Sequence, residues 1–252
     1  MEMWFSEFHT PDVKHSIRVN RQLYSKQSDY QRIDIFETPE FGRVLTLDGN
    51  VMLTERDEFI YDEMITHVPM AVHKEARDIL VIGAGDGGVV RELTRYDRVR
   101  HIDLVEMDPL VVEACRAYLP ENACRLDDRR VHLHYENALK FIRRCEGKYD
   151  LIIVDSSDPF GPSEGLFTRE FYGNCYNALK MMELWSISRE VHSIQKMHMQ
   201  CSAVIRKLPV LFRSVVFIRL ISLHLPQVTG YLDLQVKNII LSMIWTRKHG
   251  MH

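Results

Sequence analysis

Four glycines enclose one acid at residues 83–88, Gly83-Ala84-Gly85-Asp86-Gly87-Gly88. Gly83 and Gly85 permit a tight turn and close approach of the backbone to a ligand. Asp86 argues against a dinucleotide, because a carboxylate repels a pyrophosphate seated on a helix N-terminus. A cationic ligand is attracted instead. Glu106 follows 19 residues after Gly87, the spacing at which an acid accepts hydrogen bonds from ribose hydroxyls. The ligand therefore reads as a nucleoside without phosphates. Asp108-Pro109 has the chemistry of a helix N-cap and first helical position, which leaves Glu106 for the ribose. Asn137, in Tyr135-Glu136-Asn137-Ala138, is either an adenine contact or a second helix cap. Asp155 and Asp158 lie in Asp155-Ser156-Ser157-Asp158-Pro159-Phe160-Gly161-Pro162. Together with Asp86 they bring three acids to the nucleoside site, so the second substrate is expected to be a polycation.

Such groups need a scaffold that gathers them. Ile79-Leu80-Val81-Ile82 is a continuous apolar run, as expected for a strand buried on both faces. A helix with Val89, Val90 and Leu93 on its apolar face follows the glycine turn. Strand 102–105, helix 109–118, strand 131–135, helix 138–145 and strand 151–154 come next. This alternation predicts a doubly wound parallel sheet, with ligands at the carboxyl ends of its strands. Upstream, residues 13–60 read as β structure. Arg32-Ile33-Asp34-Ile35-Phe36 and Arg43-Val44-Leu45-Thr46-Leu47 alternate with period 2, and Phe41-Gly42 and Asp48-Gly49-Asn50 supply turns. From about residue 57 the pattern turns helical, with Phe59, Met64, Ile65 and Val68 on one face.

Composition excludes several classes. Of 252 residues, 46% are hydrophobic and 27% charged, which is ordinary globular usage. The net charge of −3 provides no basic field, so nucleic acid is not an expected partner. Cys115, Cys124, Cys145, Cys175 and Cys201 form no C-x-x-C pair, which disfavours zinc and a disulfide framework. No metal is expected: His132 and His134 alternate on one strand without a third ligand. The opening Met-Glu-Met-Trp-Phe-Ser-Glu lacks a signal peptide's basic start, and no 18-residue apolar run occurs. A soluble cytoplasmic protein with no membrane partner is the expectation. Trp4 and Phe5 read as packing or oligomer contacts.

Taken together, these residues resemble the spermidine synthases, a family of polyamine aminopropyltransferases. The resemblance covers residues 3–180. It rests on Leu47-Asp48-Gly49, Thr54-Glu55-Arg56-Asp57-Glu58-Phe59, the glycine loop, Asp155 to Pro162, and Leu166-Phe167-Thr168. It implies an α/β fold, a Rossmann-like, methyltransferase-type parallel sheet preceded by a small N-terminal antiparallel β domain. The expected divisions are 1–60, 61–180 and 181–252. It further implies transfer of an aminopropyl group from decarboxylated S-adenosylmethionine, a co-substrate, to putrescine. No other cofactor is expected, and the products are spermidine and methylthioadenosine. Homodimers or homotetramers are expected through the N-terminal region.

By the same resemblance, Asp86 holds the donor's ammonium and Glu106 its ribose. Asn137, Ala138 and Pro162 frame the adenine, Gly83 and Gly85 shape the loop, and Gln31 touches the nucleoside. Tyr61 and Asp62 line the diamine channel, with Asp158 beside them. Position 62, commonly histidine or glutamine in the family, is an acid here; position 137, usually aspartate, is asparagine. Asp155 is the expected catalytic base, since an alkylamine with a pKa near ~10.4 arrives protonated and only the neutral amine attacks. A methyltransferase is the nearest competing enzyme, but its intact donor would set a carboxylate against Asp86. A different class of alternative is an inactive ligand-binding or dimer-partner protein.

The chain changes character near residue 180. Residues 1–180 hold 32 acids and 23 bases; residues 181–252 hold 3 acids and 9 bases. Residues 221–233, Ile-Ser-Leu-His-Leu-Pro-Gln-Val-Thr-Gly-Tyr-Leu-Asp, can be back-translated one nucleotide out of frame. The result is His-Ile-Pro-Thr-Ser-Pro-Ala-Gly-Tyr-Trp-Leu-Phe-Gly, which resembles the family's active-site loop. Residues 182–188 and 235–241 yield Asp-Gly-Ile-Met-Val-Asn-Gln and Ala-Ser-Lys-Lys-Tyr-His-Pro in the same frame. Three ordered matches imply a frameshift near residues 180–182. The tail is therefore expected to be irregular or generically helical, without closing strands, and turnover by this chain to be low.

Overall fold

The computed structural model describes residues 2–156 and 161–187. Strands β1 (Met3–Thr10) and β2 (Val13–Val19) form an antiparallel hairpin. Strands β3 (Arg21–Gln27), β4 (Arg32–Thr38), β5 (Gly42–Leu47) and β6 (Asn50–Thr54) form a four-stranded antiparallel sheet in sequence order. The turn between β5 and β6 is the expected one. Asp48 and Gly49 both take positive φ, 48° and 79°, the backbone that a two-residue hairpin loop requires. Phe5 stacks obliquely on Phe36, ring centroids 5.2 Å apart, while Trp4 is exposed.

Helix α1 (Glu58–Val72) leads into the second layer. Its inward residues are Asp62, Ile65, Thr66, Pro69 and Met70. The expected apolar face is therefore only partly right: Ile65 is buried but Phe59 is exposed. The helix turns two polar side chains inward, so apolar periodicity alone pointed to the wrong stripe.

The remainder alternates as expected: β7 (Asp78–Gly83), α2 (Gly88–Leu93), β8 (His101–Glu106), α3 (Pro109–Tyr118), α4 (Pro120–Ala123), β9 (Val131–Tyr135), α5 (Ala138–Ile142) and β10 (Tyr149–Asp155). A 3-10 helix at Gly161–Phe167, helix α6 (Arg169–Ala178) and strand β11 (Leu179–Ile187) complete the described chain. The five-stranded sheet runs β11-β10-β7-β8-β9, all pairs parallel. Helix α5 is shorter than expected, ending at Ile142 rather than 145.

Both faces of the sheet are dry. Ile79, Val81, Leu104, Leu151 and Ile153 face one core with Val89, Val112 and Ile65. Leu80, Ile82, Val105, Ile152 and Val154 face the other with Phe141, Ile142, Phe171 and Cys175. The period-2 split explains why Ile79–Ile82 and Leu151–Val154 are apolar without interruption: each side has its own layer of helices.

Strand β11 corrects one expectation. Residues 181–187 pair in parallel with β10, Leu151 opposite Leu184 and Val154 opposite Ile187. They were expected to be irregular or helical. Parallel pairing uses main-chain groups and tolerates any apolar, β-prone run, so Leu184-Trp185-Ser186-Ile187 can satisfy the open edge of β10. The rest of the expected tail, 188–252, lies outside the described residues.

Candidate active site

The glycine loop is shaped by what its glycines touch. Gly83 ends β7 with φ +80°, in register with Asp155 at the end of β10. A Cβ at Gly83 would lie 1.7 Å from the Asp155 carbonyl oxygen. Only glycine allows these two strand ends to meet, and their meeting sets Asp155 beside the loop. A Cβ at Gly85 would lie 2.8 Å from Oε2 of Glu106, and one at Gly88 would lie 1.8 Å from Oδ2 of Asp62. Asp86 is pinned by accepting the Gly88 N–H at 2.8 Å. Sheet topology thus delivers Asp86, Glu106 and Asp155 from three adjacent strand ends, and α1 adds Asp62.

The acids crowd one another. Burial pushes the Asp155 carboxyl up to about 7; the charges of Asp86 and Glu106 act in the same direction. The Tyr61 hydroxyl opposes them by donating to Oδ1 of Asp155 at 2.5 Å. Burial also pushes Glu106 up to about 7, helped by the charge of Asp108, although Oε1 accepts the Asp108 N–H at 2.9 Å. Asp86 is raised by burial against the pull of the Gly88 N–H. Asp62 is only 4% exposed. Burial raises it most, followed by the charge of Asp86 and a hydrogen bond with Glu58. Burial and like charge thus shift all four carboxyls toward the neutral form, and a cation brought beside them would act in the opposite direction.

The residues expected at the nucleoside come from the N-terminal β region and from the parallel-sheet region. Gln31 donates its amide to Oδ2 of Asp108 at 3.1 Å, and the Ser28 hydroxyl donates to the same oxygen at 2.6 Å. Asp108 caps α3 through Leu110 N–H at 3.0 Å, as expected. Asn137 caps α5, its Oδ1 accepting from Leu139 at 2.8 Å. That is the helix-cap alternative, and it commits this oxygen. Ala138 opens α5 and Pro162 stands in the 3-10 helix at 161–167. Asp158 lies outside the described residues.

Two residues at the site escaped the sequence reading of roles. Arg91 on α2 grips Glu58 with two bonds, 3.1 and 2.8 Å, and stands 3.7 Å from Asp62. The available signal was the i,i+4 spacing of Glu58 and Asp62 on one helix. Beside them, ligand atoms of Glu63, His67 and Glu92 come within 4.8 Å of one another. Glu92 already accepts from Arg91 at 2.9 Å and Arg95 at 2.6 Å, and His67 bonds Tyr96 at 2.8 Å. This cluster ties α1 to α2 through its own charges.

Comparison with known proteins decides the family. The spermine/spermidine synthase domain profile matches residues 58–219, and the spermidine synthase tetramerisation domain profile matches residues 3–55. The chain belongs to the spermine/spermidine synthase family. The domain match runs past residue 180, where the resemblance read from the sequence stopped. Two curated members of the family are polyamine aminopropyltransferases. That of Alkaliphilus oremlandii is 63% identical over 180 residues, 71% of this chain and 63% of the relative. That of Lachnoclostridium phytofermentans is 56% identical over 211 residues, 81% of this chain and 75% of the relative. The chain thus spans less than two thirds of the first relative's length. Among solved spermidine synthases, one in complex with the transition-state analogue AdoDATO is 47% identical with a TM-score of 0.69. It matches 71% of this chain and 61% of that one. The Thermotoga maritima spermidine synthase is 41% identical with a TM-score of 0.76, over 82% and 72%. The shared fold is the parallel sheet with its N-terminal antiparallel β region.

Proposed function

We propose that this chain is a spermidine synthase-type aminopropyltransferase, taking decarboxylated S-adenosylmethionine as donor and putrescine as acceptor. The observation that carries the reading is Asp155, held near neutrality beside Tyr61 and Asp86 at the mouth of the glycine loop. A carboxyl with a pKa of about 7 is matched to taking a proton from an ammonium at physiological pH. Asp155 accepts that proton, and the freed nitrogen lone pair attacks the carbon next to the donor sulfonium. The carbon–sulfur bond breaks, its electrons stay on sulfur, and methylthioadenosine leaves neutral. The sulfonium is a good leaving group, so positioning does much of the work. The acids draw in the dicationic acceptor.

A methyltransferase fits less well, because Asp86 and Asp62 would face the carboxylate of an intact donor. Incubating the purified chain with both substrates tests the reading: spermidine and methylthioadenosine are expected in equal amounts. A methylated product, or none from a frame-corrected chain under conditions where a curated relative turns over, overturns it.

We also propose homo-oligomers, dimers or tetramers, through the N-terminal region. The match to a tetramerisation domain supports this, as do exposed Met3, Trp4 and Phe8 on the hairpin. Among the described residues no helix is long and apolar enough to cross a membrane.

A further inference from the structure

Ser28 lies in the turn between β3 and β4, far in sequence from the glycine loop, yet its side chain reaches the parallel-sheet region. Its Oγ accepts the N–H groups of Tyr30 and Gln31, each at 3.0 Å, which fixes the turn. The Gln31 carbonyl is already held by the Ser28 N–H at 2.9 Å. The single hydroxyl hydrogen therefore goes to Oδ2 of Asp108, at 2.6 Å the nearer of its two acceptors. The Gln31 amide donates to the same oxygen at 3.1 Å. Asp108 is 1% exposed, and its other oxygen is committed to the cap of α3. Its N–H in turn donates to Oε1 of Glu106 at 2.9 Å, while Oε2 of Glu106 rests against Gly85. A continuous series of bonds thus runs from the N-terminal β region through Asp108 to Glu106. Removing its first member leaves a buried carboxylate short of a charge-assisted bond.

We propose that Ser28 is a positioning residue for the donor's ribose: through Asp108 it fixes how Glu106 presents its carboxylate, so nucleoside affinity depends on a hydroxyl of the N-terminal β region. This rests on the reading of Glu106 as the ribose acid of an aminopropyltransferase. Glu106 must be ionised to accept from both ribose hydroxyls with its two oxygens. Burial pushes it up to about 7, and the charge of Asp108 acts in the same direction. The titratable groups around Glu106 are Asp108 before α3, Asp86 in the glycine loop, Asp155 at the end of β10, Cys115 on α3 and Tyr135 at the end of β9. None of these five is a cation, so the bonds donated to Asp108 are what moderate its charge. Nucleoside affinity therefore rises with pH through about 7, and loss of the Ser28 bond moves that rise to higher pH.

Calorimetry on the full chain with methylthioadenosine tests this without needing turnover, because that ligand carries the ribose and adenine but no ammonium. Titrations span about pH 5 to 9. Ser28→Ala should weaken binding about 5–20-fold on the acid side of the profile and move the rise in affinity to higher pH. Ser28→Thr should restore both. Asp108→Asn keeps an oxygen for the α3 cap and removes the charge, so it should move the rise to lower pH. If Ser28→Ala matches the unaltered chain in affinity and profile, the proposal is overturned. A loss of the same size at every pH also overturns it, leaving Ser28 a turn-forming residue. Failure of the unaltered chain to bind methylthioadenosine at any pH overturns the nucleoside reading together with the proposal, whereas the two preceding outcomes leave that reading standing.

Discussion

The hydroxyl of Tyr61 donates to Oδ1 of Asp155, joining helix α1 to the end of β10 across the site. This bond favours the carboxylate against burial and against the charges of Asp86 and Glu106, both of which favour the acid. Tyr61→Phe should therefore raise the Asp155 pKa above about 7. The acidic limb of kcat/KM should move to higher pH, with activity recovering at alkaline pH. An unmoved limb in the pH profile would separate Tyr61 from the base.

Asp155→Asn removes the proton acceptor and keeps the shape. The rate should fall roughly 10²–10⁴-fold, the usual worth of a general base. Methylthioadenosine binding, measured by calorimetry, should stay within about 2-fold. Near-normal turnover would take Asp155 out of the base role.

Gly83→Ala forces a Cβ into the Asp155 carbonyl, backbone against backbone, at a φ of +80°. Neither side can rotate away. The loss of stability should be on the order of 4 kcal/mol or more, visible as a lowered denaturant midpoint. A soluble Gly83→Ala protein with normal stability would mean that the two strand ends separate more easily than their register implies.

Stability should depend on pH in two directions. Asp155 and Glu106, both at about 7, are raised above their ordinary carboxylate values of 3.8 and 4.5. Raised groups contribute stability that is present below their unfolded values and is lost as pH rises through about 7. Asp128 is lowered to about 2 by its bonds to Arg130, so its contribution is lost only as pH falls toward that value. Asp103 behaves likewise: although burial acts upward, Lys148, Tyr149, His134 and His101 hold it well below the usual range. In the ligand-free protein the melting temperature should peak at about pH 4 and fall by on the order of 5 °C as pH rises through about 7. A cationic donor should restore much of that loss. A flat melting temperature from pH 5 to 8 would contradict the burial of these acids.

The frame change inferred near codons 180–182 is checked in DNA. Sequencing of codons 178–183 should show one nucleotide gained or lost. A clone with that nucleotide corrected should turn over putrescine faster than the chain as it stands. Equal turnover from two monodisperse proteins would remove the functional consequence, whatever the DNA shows.

Much of the fold was legible because parallel strands buried on both faces must be apolar throughout, as Ile79 to Ile82 and Leu151 to Val154 are. The glycine loop and the positions of Asp86, Glu106 and Asp155 followed from that topology. The inward face of α1 was not legible, because Asp62 and Thr66 point into the protein where periodicity seeks apolar groups. Nor were the bonds of Arg91 to Glu58 or of Gln31 to Asp108, which join residues distant in sequence. Asn137 could be read two ways, and the structure shows its cap bond to Leu139. Strand β11 was missed because an open sheet edge accepts a partner on main-chain grounds that no side-chain pattern announces.

One contrast bears on redesign. Gly83 and Asp155 meet through their backbones, so that side of the cleft offers no position to vary. Glu58, Tyr61 and Asp62, by contrast, all project from the first turns of one helix. A library confined to those positions would explore substrate choice as a removable cassette and leave the sheet untouched. Its main constraint would be Gly88, which has room for no more than the carboxylate already resting on it.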